Sequence, residues 1–120
     1  MRKQMPVNYI DPYDGECWTV TGNYSVAQDY LLLKAAPGVG KSFYITDVFY
    51  SNGGTTGSIK IVEDPAGTPV DVMAYTYMST NTSTRTEFKT PIKMTANKAL
   101  GLKSVTVSTH SITICGFIGS

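Results

Sequence analysis

The sequence predicts an all-β domain: an antiparallel β-sandwich, jelly-roll-like, preceded by an extended N-terminal arm. Three observations carry this expectation. Sixteen threonines and eight tyrosines suit pleated, half-buried surfaces. Eleven glycines supply turns, and turn signals recur every 8–12 residues along the chain. No stretch sustains a helical period, and Lys, Glu and Ala are too few to build several amphipathic helices. At 120 residues the chain has the size of one domain.

Residues 1–16 differ from the rest of the chain. Two prolines, no regular period, and Tyr9, Ile10 and Tyr13 set among polar residues predict an extended arm. Two readings fit: a frayed terminus, or, because disordered tails are usually poor in aromatic residues, an arm whose aromatics dock on a neighbouring subunit. Arg2, Lys3, Tyr9, Ile10 and Tyr13 are its candidate interface residues.

Residues 17–120 form the sandwich domain. Predicted strands are 17–21, 29–35, 42–51, 57–63, 70–77, 84–88, 92–95, 99–103, 105–108 and 111–118. Pro37-Gly38, Asn52-Gly53-Gly54 and Asp64-Pro65-Ala66-Gly67 stand between strands as turns, as do Ser79–Ser83, Ala96-Asn97-Lys98 and Thr109-His110. Ile59-Lys60-Ile61 alternates apolar and charged. Ile112, Ile114 and Ile118 fall on one face, and Leu100/Leu102 and Val105/Val107 repeat the pattern. Phe43–Tyr50 is apolar on both faces except at Thr46 and Asp47, which predicts a strand covered on both sides, by the second sheet or by another subunit. At 26–35, Leu31-Leu32-Leu33 fits helix or strand by period, and Pro37-Gly38 favours the strand.

Ala35-Ala36-Pro37-Gly38-Val39-Gly40-Lys41-Ser42 imitates a phosphate-binding loop with alanine in the first glycine position. Such a loop presents its amides and hydroxyl from a helix that starts at the Lys-Ser pair. Here Ser42 opens strand-forming residues, so 37–41 is expected to be a β-turn in a hairpin. The 78–86 segment is expected to be a long polar loop or hairpin tip.

Other functional classes find little support. The net charge is +1 and only Arg2-Lys3 are adjacent among the basic residues, which argues against nucleic acid. No apolar run approaches a membrane span. His110 is the single histidine, expected at a solvated turn. With Cys17 and Cys115 it lacks metal-ligand spacing. No nucleophile elbow accompanies the serines, and the carboxylates are expected on solvated faces. The expectation is therefore no enzyme, no cofactor and no metal. The two cysteines are expected to be buried and reduced, with pairing open if the chain ends meet in one sheet.

The order Lys34–Gly38, Phe43–Val48, Ser51-Asn52, Glu87–Ile92, Asn97–Leu100 and Ile112–Phe117 resembles small β-sandwich virion proteins of tailed phages. These are similar to capsid decoration (cement) proteins and to modules of head or tail fibres. The likeness spans about residues 30–118 and rests on strands and turns alone. It implies a virion subunit, made in the host cytoplasm, that forms trimers on the capsid surface. Its partners would be the capsid protein and copies of itself, with no nucleic acid and no membrane. The alternative is a carbohydrate- or receptor-binding module of a phage tail or fibre, with Tyr75, Tyr77 and Trp18 stacking on sugars.

Overall fold

A computed structural model describes residues 16–120, and within them every regular element is a strand. The strands are β1 (Cys17–Tyr24), β2 (Leu31–Lys34), β3 (Ser42–Asn52), β4 (Gly57–Glu63), β5 (Val70–Met78), β6 (Thr82–Lys93), β7 (Leu100–Val105) and β8 (His110–Gly119). They form two four-stranded sheets, ordered β1-β8-β3-β6 and β2-β7-β4-β5, and all pairings are antiparallel.

That order has a simple origin. β1 pairs with β8, β2 with β7, β3 with β6 and β4 with β5. These four pairs make one long ribbon with the β4–β5 turn at its closed end. Winding the ribbon adds the contacts β3–β8 and β4–β7 and splits it into two facing sheets. Only β4 and β5 are consecutive within one sheet, and every other connection crosses the sandwich. This winding defines a jelly roll.

The core lies between the sheets. Trp18, Phe43, Ile45, Val48, Tyr50, Ile112 and Ile114 meet Ile59, Ile61, Leu100 and Leu102. Met78, Met94 and Val107, which lie at or beyond strand ends, join the same cluster. Full burial of one such aliphatic side chain stabilises the fold by about 1.5–3 kcal/mol.

Within this chain β3 is covered on one face, so the second sheet does not supply cover on both sides. The inward residues of β3 are Phe43 and Ile45, then Val48, Tyr50 and Asn52. The parity changes because Ile45 faces Gly116 while Asp47 faces Cys115, which leaves Thr46 as one extra residue. The Thr46 hydroxyl donates to the Cys115 carbonyl at 3.1 Å or the Asp47 carboxylate at 3.0 Å and so holds the bulge. Tyr44 and Phe49 face outward; Tyr44 stacks on Phe117 at 4.7 Å, and Phe49 is exposed.

Two predicted strand pairs are also redrawn. Residues 84–88 and 92–95 belong largely to one strand, β6: Ile45 faces Ile92 and Asp47 faces Glu87, so three extra residues of β6 bulge between them. Residues 99–103 and 105–108 give β7, which ends at Val105 because Thr106 turns to φ 72°. Val107 then enters the core from a turn, while Val105 stays exposed.

The turn expected at 37–41 is present, with the Lys41 amide donating to the Gly38 carbonyl at 3.1 Å. Gly40, at φ 76°, takes a backbone conformation that L side chains rarely adopt. It joins β2 and β3 across the sandwich, so it is not a hairpin turn. Likewise, the loop expected over 78–86 shrinks to three residues. Thr82 opens β6, and its hydroxyl donates to the Ser79 carbonyl at 2.6 Å.

Candidate binding surface on the outer face of the second sheet

The candidate interface residues of the arm, Arg2, Lys3, Tyr9, Ile10 and Tyr13, lie outside the described residues. The first described residue, Glu16, accepts from the Ile118 amide at 2.9 Å and leads into β1 at the edge of its sheet. A cleft of about 460 Å³ opens there, lined by Glu16, Pro37, Val39, Lys41, Ile118 and Ser120 among others.

Several other expectations change. Trp18 is a core residue, packed edge-on against Phe43 at 5.3 Å, and is withdrawn from any sugar-stacking role. Its ring lies over Gly116, where a Cβ would stand 2.0 Å from the Tyr44 carbonyl oxygen and 2.6 Å from the indole. His110 is buried at the start of β8 and not solvated at a turn. Its Nδ1 is 2.6 Å from the Ser108 carbonyl, which makes Nδ1 the protonated nitrogen. Nε2 then accepts from the Ser104 hydroxyl at 3.1 Å, and that oxygen accepts from the Gln28 amide at 2.7 Å. The histidine therefore ties β8, β7 and the approach to β2 together.

The first and last strands of the described residues do meet in one sheet, since β1 pairs with β8. Cys17 and Cys115 both face out of that sheet as free thiols, the first exposed and the second half-buried, so neither is a buried core cysteine. Among the described residues no group of three or more His, Cys, Asp or Glu is gathered. Ser42, at the end of the phosphate-loop imitation, is the first residue of β3 and is buried.

A cluster of polar and aromatic side chains lies on the outer face of the β2-β7-β4-β5 sheet. Lys60 on β4 and Lys103 on β7 stand directly opposite one another. Like charges so placed repel, and each lysine has its own compensation. Lys60 binds Asp71 at 2.8 Å and stands over the Tyr75 ring at 4.6 Å. Lys103 binds Asp29 and stands over the Tyr30 ring at 4.8 Å.

Two irregularities of β5 build the Lys60 half. Ile59 faces Thr76 while Ile61 faces Met73, so Ala74 and Tyr75 together oppose Lys60. A second extra residue intervenes before Asp71, which faces Val62. On the other edge, Tyr30 sits at φ 51° just before β2.

The two lysine side chains are only 12% and 22% exposed, although they lie on an outer face, because rings and carboxylates flank them. The hydrogen bond to Asp71 holds the Lys60 ammonium above the ordinary lysine value, against partial desolvation, with the charge of Asp71 adding to it. Asp29 does the same for Lys103. Tyr77, two residues beyond Tyr75 and 6.2 Å from its ring, is 80% exposed. Leu32 and Val105 add exposed apolar surface to the same sheet.

The sequence alone marks Tyr75 and Tyr77 but not Lys60, Lys103, Asp29, Asp71 or Tyr30 as binding candidates. Alternation at Ile59-Lys60-Ile61 signals that Lys60 faces outward. Nothing local signals that Lys103 is its cross-strand neighbour.

The fold and this face define an eight-stranded jelly-roll domain with a charged, tyrosine-rich outer surface. No protein-family model and no curated protein sequence matches the chain. Among solved structures it is similar to the coat protein of Tobacco streak virus, at 11% identity and a TM-score of 0.40, over 88% of this chain and 87% of that one.

Proposed function

We propose that this chain is a structural subunit of a virus particle, of the kind that decorates a tailed-phage capsid, and that it acts by association without catalysis. The observation that carries the reading is the β1-β8-β3-β6 and β2-β7-β4-β5 winding, a scaffold used by viral capsid domains.

The edges of the sheets support it. A bare edge strand offers unpaired amides and carbonyls to another chain unless it is blunted. β6 is blunted by Arg85, Lys89, Lys93, Pro91 and its three-residue bulge. β1, with the sequence CWTVTGNY, carries no charge and no proline. Glu16, the first described residue, leads into this same edge strand. In this reading, β1 and residues 1–15 make the contacts with copies of the chain and with capsid protein. Several equivalent sites on one shell would make modest contacts long-lived.

The test is co-sedimentation of purified protein with bare shells of the virus whose genome encodes it. Saturable attachment is expected, weakened when residues 1–13 are deleted while the domain stays folded. Unchanged attachment of the truncated chain discards the arm, and no attachment of the full chain discards the reading. Thr21→Lys, at an exposed position of β1, is expected to reduce self-association in sedimentation equilibrium while changing stability by less than about 0.5 kcal/mol.

A further inference from the structure

The Lys60/Lys103 face holds donors and acceptors fixed side by side. Each ammonium has three N–H donors, of which its aspartate takes one. Asp71 and Asp29 are 53% and 79% exposed at their side chains, so their carboxylates keep open lone pairs. An aspartate and a lysine thus stand together at each of two places, one toward β5 and one toward β2.

We infer that this face binds a neutral hexopyranose oligosaccharide, held by the Lys60–Asp71 and Lys103–Asp29 pairs and stacked on Tyr77. A sugar hydroxyl both donates and accepts, so a vicinal pair of hydroxyls matches an ammonium beside a carboxylate. The C–H face of a pyranose suits an exposed aromatic ring, and Tyr77 supplies one next to Tyr75. The lysines already stand over Tyr75 and Tyr30, which fixes the donors and leaves Tyr77 as the stacking surface.

Charge selects the ligand class. The two ammonium groups are cancelled by the two carboxylates, so the face does not concentrate phosphate, sulfate or nucleic acid. Four strands span three interstrand spacings, about 14 Å, which suits an oligosaccharide better than one ring. The inference stands apart from the assembly reading: a particle-bound subunit and a free domain carry the same face.

The test is titration of the ¹⁵N-labelled full chain with neutral gluco-, galacto- and manno-configured oligosaccharides, and separately with heparin. Amide shifts are expected around Lys60, Tyr75, Tyr77 and Lys103 with at least one neutral sugar, below about 10 mM. Tyr77→Ala is expected to weaken that binding about tenfold, the loss of one stacking contact. Tyr77→Phe is expected to retain it, since the ring remains. Tyr77 is exposed, so both variants fold. The inference is overturned by no response to any neutral sugar, by shifts on another face, by binding of heparin alone, or by Tyr77→Ala binding as well as the parent.

Discussion

Tyr50→Phe is expected to stabilise the domain. Tyr50 is 2% exposed in the middle of β3, and its hydroxyl has no hydrogen-bond partner among the described residues. Burial also pushes its pKa well above the ordinary tyrosine value. A buried polar group without a partner costs about 1–3 kcal/mol. Phenylalanine removes that cost and keeps the ring packed against the core, with a void no larger than one oxygen. The gain should be near the lower end of that range, about 1 kcal/mol, since the neighbours must close the gap. For a domain of this size, that raises the melting temperature by about 4 °C. Urea unfolding followed by Trp18 fluorescence gives the free energy, and calorimetry gives the melting temperature. A loss of about 1 kcal/mol or more, with an unchanged urea slope, would show that the hydroxyl is satisfied in the folded protein and would refute the reasoning.

Three further outcomes are expected. Gly116→Ala should destabilise by about 1–3 kcal/mol, because its Cβ collides with the Tyr44 carbonyl and the Trp18 ring; a neutral effect in urea unfolding would contradict that packing. Ser104→Ala should cost about 1–3 kcal/mol, because it leaves His110 Nε2 and the Gln28 amide without their shared partner; an ordinary surface-sized effect would refute the network. Stability should fall above about pH 10, because Tyr24, Tyr50, Lys60 and Lys103 all have folded pKa values raised above their ordinary 10.0 or 10.5. Below those ordinary values the contribution is fully present. Above them the folded state holds more protons than the unfolded one, so stability is lost as pH rises through the folded values. Tyr50→Phe should flatten this alkaline decline, and chemical unfolding at about pH 8 and about pH 10.5 measures it.

The strands are legible where one face is apolar and the other polar. Ile59-Lys60-Ile61 and Ile112–Ile114 need no structure to place. Legibility fails where local pattern and sheet register part company. Phe43–Tyr50 looks apolar on both sides because Thr46 bulges and exchanges the inward and outward positions. Residues 84–95 look like two strands because three residues of β6 have no counterpart on β3. His110 looks solvated because it comes after Thr109 at a turn, yet Ser104, six residues earlier, folds back to receive it.

The binding face is legible only in part, for the same reason. Tyr75 and Tyr77 stand out in the chain as aromatics two residues apart. Lys60 and Lys103 become neighbours through the β4–β7 pairing, and Asp29 and Asp71 reach them from the two flanking strands or their approaches. No window of sequence contains those four residues. Strand order is nonlocal information, set by how the ribbon winds rather than by any turn within it.

Electron cryomicroscopy of bare shells saturated with the purified chain tests the assembly reading most directly. The reading predicts added sandwich-shaped density at symmetry-related positions on the outer surface, with the β1 edge and residues 1–15 turned toward a neighbour. Shells that remain bare at saturating concentrations of folded protein would contradict it.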